Sequence, residues 1–160
     1  MAIPFNADEV FEMAEQIERN GGRFYRAAAE KFPAVSDILL KLAKWEDDHE
    51  KTFAKMRAEF SSVDAGPPVF DPDEQAQMYL RVMADGHVFN LNVDPAEQVA
   101  GKDTPEEILK MAIGVERDSI AFYVGLKESV SSAAGKSKIE AIIREEIQHV
   151  AILKNGLLAL

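Results

Sequence analysis

At 160 residues, 47% apolar and 29% charged, the chain fits one domain that buries roughly two thirds of its unfolded surface, so neither metal nor disulfide is needed merely to hold it folded. Acidic residues number 28 against 18 basic, a formal charge of −10, and no Lys/Arg cluster interrupts that field, which argues against nucleic acid as a partner. The absence of cysteine excludes disulfides, iron–sulfur clusters and thiol catalysis, so any metal must be held by oxygen and nitrogen.

No apolar run approaches the ~20 residues of a membrane span. Met1 to Val10 has neither a basic stretch nor an apolar core followed by small residues, so nothing there resembles a secretory signal. The expectation is a soluble, cytoplasmic protein with no membrane partner.

Apolar residues then recur at helical three- and four-residue intervals in four segments. The first, 7–32, carries the stripe Phe11, Ala14, Glu18, Tyr25, Ala28, Phe32 behind Asn6 as N-cap, with Glu9 three residues on. Asn20-Gly21-Gly22 lies inside it, each glycine costing about 1 kcal/mol relative to alanine. The stripe resumes in register at Tyr25, so the helix continues, and the glycines fit either a close helix approach or a kink. The second segment, 35–60, reads Leu39, Leu42, Glu46, His49, Phe53, Met56, Phe60. A crossover, 61–103, follows, with Gly66-Pro67-Pro68 and two short helical starts, Asp71-Pro72 and Asp94-Pro95. The third helix, 104–130, opens on Thr104-Pro105-Glu106-Glu107, a capping box with proline at the first helical position. It carries Leu109, Ala112, Glu116, Ser119, Tyr123, Leu126 and Val130. The fourth, 136–158, carries Ile139, Ile142, Glu146, His149 and Leu153. No segment alternates with period two for long.

Short connections make helices one and two one antiparallel hairpin and helices three and four another. A helix of ~27 residues is about 40 Å long, and the crossover can run that length, so the second and third helices should be parallel. The fold class is all-α, a four-helix bundle of two hairpins joined by a long crossover.

The two hairpins repeat one another. Ile17-Glu18-Arg19 through Phe24-Tyr25 aligns with Val115-Glu116-Arg117 through Phe122-Tyr123, and Glu46-Asp47-Asp48-His49 aligns with Glu146-Ile147-Gln148-His149. All four glutamates and both histidines stand in the inward stripe near mid-helix, where unpaired charges cost several kcal/mol. No basic residue shares that stripe; Arg19 and Arg117 point about 100° away. Two divalent cations would balance four carboxylates and two neutral imidazoles, and the i, i+3 spacing puts each Glu and His on one face.

Two Glu-x-x-His pairs, each with a partner helix carrying a glutamate seven residues before a tyrosine, resemble the rubrerythrin and ferritin-like superfamily, as a di-iron domain without a rubredoxin tail. The resemblance covers the four helices, roughly two thirds of the chain. It implies Glu18, Glu46, His49, Glu116, Glu146 and His149 as ligands to two iron ions, with manganese or zinc as substitutes. It groups Glu18 with Glu146 and His149, and Glu116 with Glu46 and His49, with Glu46 and Glu146 bridging. Tyr25 and Tyr123 suit either a hydrogen bond to a ligand carboxylate or ordinary core packing. Rubrerythrins that reduce peroxide carry a further glutamate one turn after the third-helix ligand, where this sequence has Ser119; its six-ligand set is closer to that of bacterioferritins.

The implied activity is oxidation of the di-iron pair by O₂ or hydrogen peroxide, as a ferroxidase or a peroxide-detoxifying oxidoreductase in oxidative stress. Fe²⁺ and a separate electron-donor protein are the implied partners, and the assembly a homodimer. Rival classes are a metal-binding module without turnover and a structural bundle. Trp45 reads as interhelical packing and His87 as a surface or capping residue. Glu15, Asp118 and Glu145 are turned toward solvent or flanking helices.

Overall fold

The computed structural model describes residues 7–62, 73–84 and 93–160. In chain order it contains α1 (Ala7–Lys31), a 3-10 turn (Pro33–Val35), α2 (Ser36–Ser62), α3 (Gln75–Ala84), α4 (Pro95–Ala100), α5 (Pro105–Glu128) and α6 (Ala133–Leu158), with no strand among the described residues. None of these helices is long and apolar enough to cross a membrane.

Local chemistry sets the helix ends. Pro33 disfavours helical geometry at the residue before it, and Phe32 sits at φ −122°, ψ 78°, so α1 stops at Lys31. The Thr104 capping box forms: the Thr104 hydroxyl accepts from the Glu107 N–H at 3.2 Å, while the Glu107 carboxylate accepts from the Thr104 N–H at 3.0 Å. The last helix starts three residues earlier than its apolar stripe suggested, because Ser132 accepts from the Gly135 N–H at 3.0 Å and Ala133 and Ala134 are good helix formers. Asp94 caps α4 as expected. Asn6, the Asp71-Pro72 start and His87 lie outside the described residues.

Named contacts fix the directions. Phe11 of α1 stacks on Phe60 of α2 at 5.2 Å and Arg57 of α2 reaches Asp8 at 2.7 Å, so α1 and α2 are antiparallel. Lys138 of α6 meets Glu59 at 2.7 Å near one end of α2, while Ile38 lies against Gly156 at the other, so α2 and α6 are antiparallel. Tyr25 of α1 bonds Glu116 of α5, and Tyr123 of α5 bonds Glu18 of α1, which makes that pair antiparallel too. It follows that α2 and α5 run parallel, as one long crossover requires.

The crossover elements pack on the outside. Tyr79 of α3 lies across α5, its hydroxyl donating to the Ala121 carbonyl at 2.7 Å. Gly125 permits this approach, since a Cβ there would stand 2.6 Å from the Tyr79 ring. Lys31 donates to the carbonyls of Ala100 and Lys102 at the end of α4, holding it beside α1. The core is apolar, with Phe24, Phe53, Phe122, Leu39, Leu42, Leu109, Ile139 and Leu153 fully enclosed. Each such side chain contributes about 1.5–3 kcal/mol by leaving water. Among the described residues its buried polar side chains are the four glutamates and two histidines, together with Asn20 and Ser119.

Candidate metal centre

Each long helix delivers one carboxylate to the same level of the bundle: Glu18 from α1, Glu46 from α2, Glu116 from α5 and Glu146 from α6. One turn on, α2 adds His49 and α6 adds His149. None of the six is more than 4% exposed. They form two clusters, Glu18, Glu46, His49 and Glu146, and Glu46, Glu116, Glu146 and His149, in each of which one donor atom per residue lies within 4.8 Å of the others.

Glu46 and Glu146 belong to both clusters, in the position of bridges. The terminal pairing differs from the grouping the resemblance implied: Glu18 goes with His49 of its own hairpin, and Glu116 with His149. The reason is level. Within each antiparallel hairpin the glutamate and histidine stand side by side, and the helix from the other hairpin supplies only its shared glutamate.

Glu146 shows the arrangement most clearly. Its Oε1 lies 2.9 Å from His49 Nδ1 and its Oε2 2.9 Å from His149 Nδ1. Glu18 Oε2 is 3.5 Å from His49 Nδ1, while Glu46 Oε1 and Glu116 Oε1 are 3.3 and 3.5 Å from His149 Nδ1. Close as they are, Glu18 Oε2, Glu46 Oε1, both Glu146 oxygens and both histidine Nδ1 atoms have no hydrogen-bond partner. Buried polar atoms are almost always paired, because an orphan costs about 1–3 kcal/mol. Six orphans crowded together yet not bonded to one another have the donor set and the convergence that a pair of cations satisfies, so the residues fit metal.

Around this centre the tyrosines cross over. Tyr25, seven residues after Glu18, donates to Glu116 Oε1, and Tyr123, seven after Glu116, donates to Glu18 Oε1. Tyr123 leaves Glu18 Oε2 to the cluster, and Tyr25 bonds the same Glu116 oxygen that faces His149. Burial together with the neighbouring carboxylates holds both phenols well above their usual pKa, so they stay donors. Arg19, beside Glu18, turns outward to Glu50 at 2.7 Å.

The protein's own groups retain protons here. Burial, reinforced by the charges of Glu146, Glu18 and Glu116, raises the Glu46 carboxyl well above the carboxylate range. Burial and the charges of Glu116 and Glu18 push Glu146 up to about 8. Burial opposes charge on the imidazoles, but Glu146 and Glu18 outweigh it and bring His49 to about 12, as Glu116 and Glu146 bring His149 to about 10. Glu116 stays below its ordinary value: burial opposes this, and contacts with His149, Glu146 and Tyr25 prevail.

Two residues do more than their positions in sequence suggested. Gly21 faces Glu46, and a Cβ there would stand 2.8 Å from Glu46 Oε2, so the glycine makes room for the shared carboxylate. Of the two readings open for these glycines, close approach is the one seen. Glu145, read as turned away, accepts from His49 Nε2 at 2.7 Å while remaining half-exposed. The signal for it was the acidic pair Glu145-Glu146, which puts a second carboxylate about 100° round the helix from the first, toward α2. Trp45 stacks on His149, ring centres 5.0 Å apart and planes 9° from parallel, so its packing is against the centre itself. Glu15 lies 3.7 Å from Arg57, and neither it nor Asp118 joins a cluster.

Two antiparallel hairpins and one buried carboxylate from each of four helices define a ferritin-like bundle of the carboxylate-histidine type. The chain belongs to the rubrerythrin family, whose model matches residues 9–157. It is similar, at 27% identity and a TM-score of 0.71 over 98% of this chain and 97% of the other, to a Thermotoga maritima protein provisionally described as ferritin-like and diiron-carboxylate. No curated protein matches the sequence.

Proposed function

We propose that the chain is one di-iron domain, with Glu18, Glu46, His49, Glu116, Glu146 and His149 as ligands, whose reduced pair is oxidised by O₂ or hydrogen peroxide. The observation that carries this reading is the set of six buried donor atoms without hydrogen-bond partners, two of them on the one carboxylate, Glu146, that stands between both histidines. Bound iron would supply one-electron redox chemistry that no side chain here can perform.

The protein's contribution is positioning. Four carboxylates favour the higher-charged oxidised pair electrostatically, and two imidazoles complete coordination without thiolates. Tyr25 and Tyr123 pin the terminal glutamates through one oxygen each, and the surrounding Phe and Leu side chains exclude bulk water. Ser119, at the place of the extra glutamate of peroxide-reducing rubrerythrins, favours a ferroxidase in which Fe²⁺ is itself the reductant; repeated peroxide turnover would need a separate donor protein. A homodimer in the cytoplasm is the assembly and place we propose.

Anaerobic loading with two Fe²⁺ per chain, then addition of O₂ or hydrogen peroxide in separate syringes, tests the reading. Fast growth of ferric absorbance with one oxidant, absent in Glu46→Ala, is the expected result. Oxidation no faster than that of free Fe²⁺ would leave a metal-binding module without turnover.

A further inference from the structure

The two halves of the centre are alike in their glutamates and tyrosines and unlike in what holds each imidazole. His49 donates from Nε2 to Glu145 at 2.7 Å, and its Nδ1 faces Glu18 and Glu146. In the first hairpin the residue preceding the shared glutamate, which corresponds to Glu145, is Trp45. Trp45 presents no acceptor to His149 and stacks on its ring instead. Among the described residues none hydrogen-bonds His149 Nε2.

These supports are physically different. A carboxylate accepting from Nε2–H fixes both ring direction and tautomer, leaving the Nδ1 lone pair for a metal, and makes the imidazole a stronger donor. A stacked indole restrains the plane of the ring but leaves its tautomer and in-plane direction unset.

We propose that the two metal positions are unequal and fill in order: the Glu18–His49 position first and more tightly, the Glu116–His149 position second. Glu145 is the positioning residue that makes the difference. The inference rests on the di-metal reading above. It has a consequence for how the centre works, since the ion at the second position is the one that exchanges with solution.

Co²⁺ titration of apo protein, followed by calorimetry and by visible absorption, tests the order without calling on turnover. His149→Ala keeps only the first position and His49→Ala only the second. Glu145→Ala should weaken Co²⁺ binding about 10–100-fold in the His149→Ala protein and change it little in the His49→Ala protein. Glu145→Gln, which keeps an acceptor oxygen and the side-chain volume, should recover most of the loss; that rescue separates positioning of His49 from a general effect of the half-exposed site on folding.

In the wild type, Trp45 is the only tryptophan, so its emission reports events at His149. With Zn²⁺ as titrant the emission should change with the second equivalent. Equal weakening in both backgrounds, no weakening in either, or an emission change completed by the first equivalent would overturn the proposal while leaving the di-metal centre standing. Failure of the wild type to take up either ion would instead overturn the reading of the centre, and this inference with it.

Discussion

The first hairpin and the second each supply two glutamates and one histidine to the buried cluster, but they enclose them differently. The α1–α2 hairpin opposes glycine to its shared carboxylate: Gly21 leaves room for Glu46, and Asp47 beside it pairs with Arg26 on the surface. In the α5–α6 hairpin the matching position is Ser119, whose hydroxyl turns back to the Val115 carbonyl at 3.1 Å, and the residues around its shared carboxylate are Glu145, Ile147 and Gln148. The lesson is that the duplication preserves donor atoms and their level in the bundle, while the surrounding support is free to diverge.

The sharpest way to break the comparison is to remove shared and terminal carboxylates in turn. Glu46→Ala or Glu146→Ala should impair both metal positions, since each carboxylate belongs to both clusters, whereas Glu18→Ala or Glu116→Ala should mainly weaken one. Metal content after gel filtration checks this. Equal losses in all four variants would remove the distinction between shared and terminal ligands.

Next in size is the effect on the apo protein of the charges themselves. Glu46, Glu146, His49 and His149 all have folded-state pKa values above their unfolded ones, so folding of the apo chain takes up protons. Their contribution is fully present below the unfolded value and lost as pH rises through the folded one. Apo stability should therefore fall from about pH 5 toward about 8 as Glu146 ionises, with Glu46 adding a loss of the same sign, His149 extending the decline toward 10 and His49 toward 12. Glu116 has the opposite sign, and acts below that window. Bound cations would hold the carboxylates ionised, so the metal-loaded protein should lack most of this slope. Replacing Glu18 and Glu116 together by leucine should stabilise the apo form by about 1–4 kcal/mol, while abolishing oxidation chemistry. Urea melts of both proteins across that pH range measure it; a double variant less stable throughout would show that these glutamates are not a buried cluster awaiting compensation.

Gly21→Ala sharpens the contrast between the hairpins because its two effects have opposite signs. Alanine gains up to about 1 kcal/mol over glycine in a helix interior, yet its Cβ would displace the Glu46 carboxylate from a contact of 2.8 Å. The fold should hold or gain stability while metal affinity drops. Ser119→Ala, which deletes a hydroxyl bonded only within its own helix, should leave metal affinity nearly unchanged. Thermal melts of the apo forms beside metal titrations of each read the two effects separately.

The smallest expected difference between the halves concerns the tyrosines, where the two should agree. Tyr25→Phe and Tyr123→Phe each delete a hydrogen bond to a buried carboxylate, worth about 1.5–3 kcal/mol, and because the bonds are reciprocal the two losses should be alike. Denaturation of the metal-loaded proteins, with the double variant closing a thermodynamic cycle, would expose any difference.

Much of this was legible in the sequence. The inward stripes set the four helices, and the Thr104 capping box and the Asp94-Pro95 start were local signals that the structure repeats. Placing six polar residues in apolar stripes was enough to single them out, because only mid-helix position had to be read. What the sequence could not show was which half of the bundle each side chain meets. Tyr25 answers Glu116 and not Glu18, which lies about two turns back along its own helix, because the bundle turns it across the core. The pairing of Glu18 with His49, the contact of Glu145 with His49 and the room left by Gly21 likewise depend on interhelical level and rotation, which periodicity within one helix does not contain.

The central claim is two metal ions among these six residues, and counting metal tests it most directly. Protein stripped with chelator, saturated anaerobically with Fe²⁺ and freed of excess should hold about two ions per chain, falling to near zero in Glu146→Ala. Well under one ion per chain in the wild type would contradict the account.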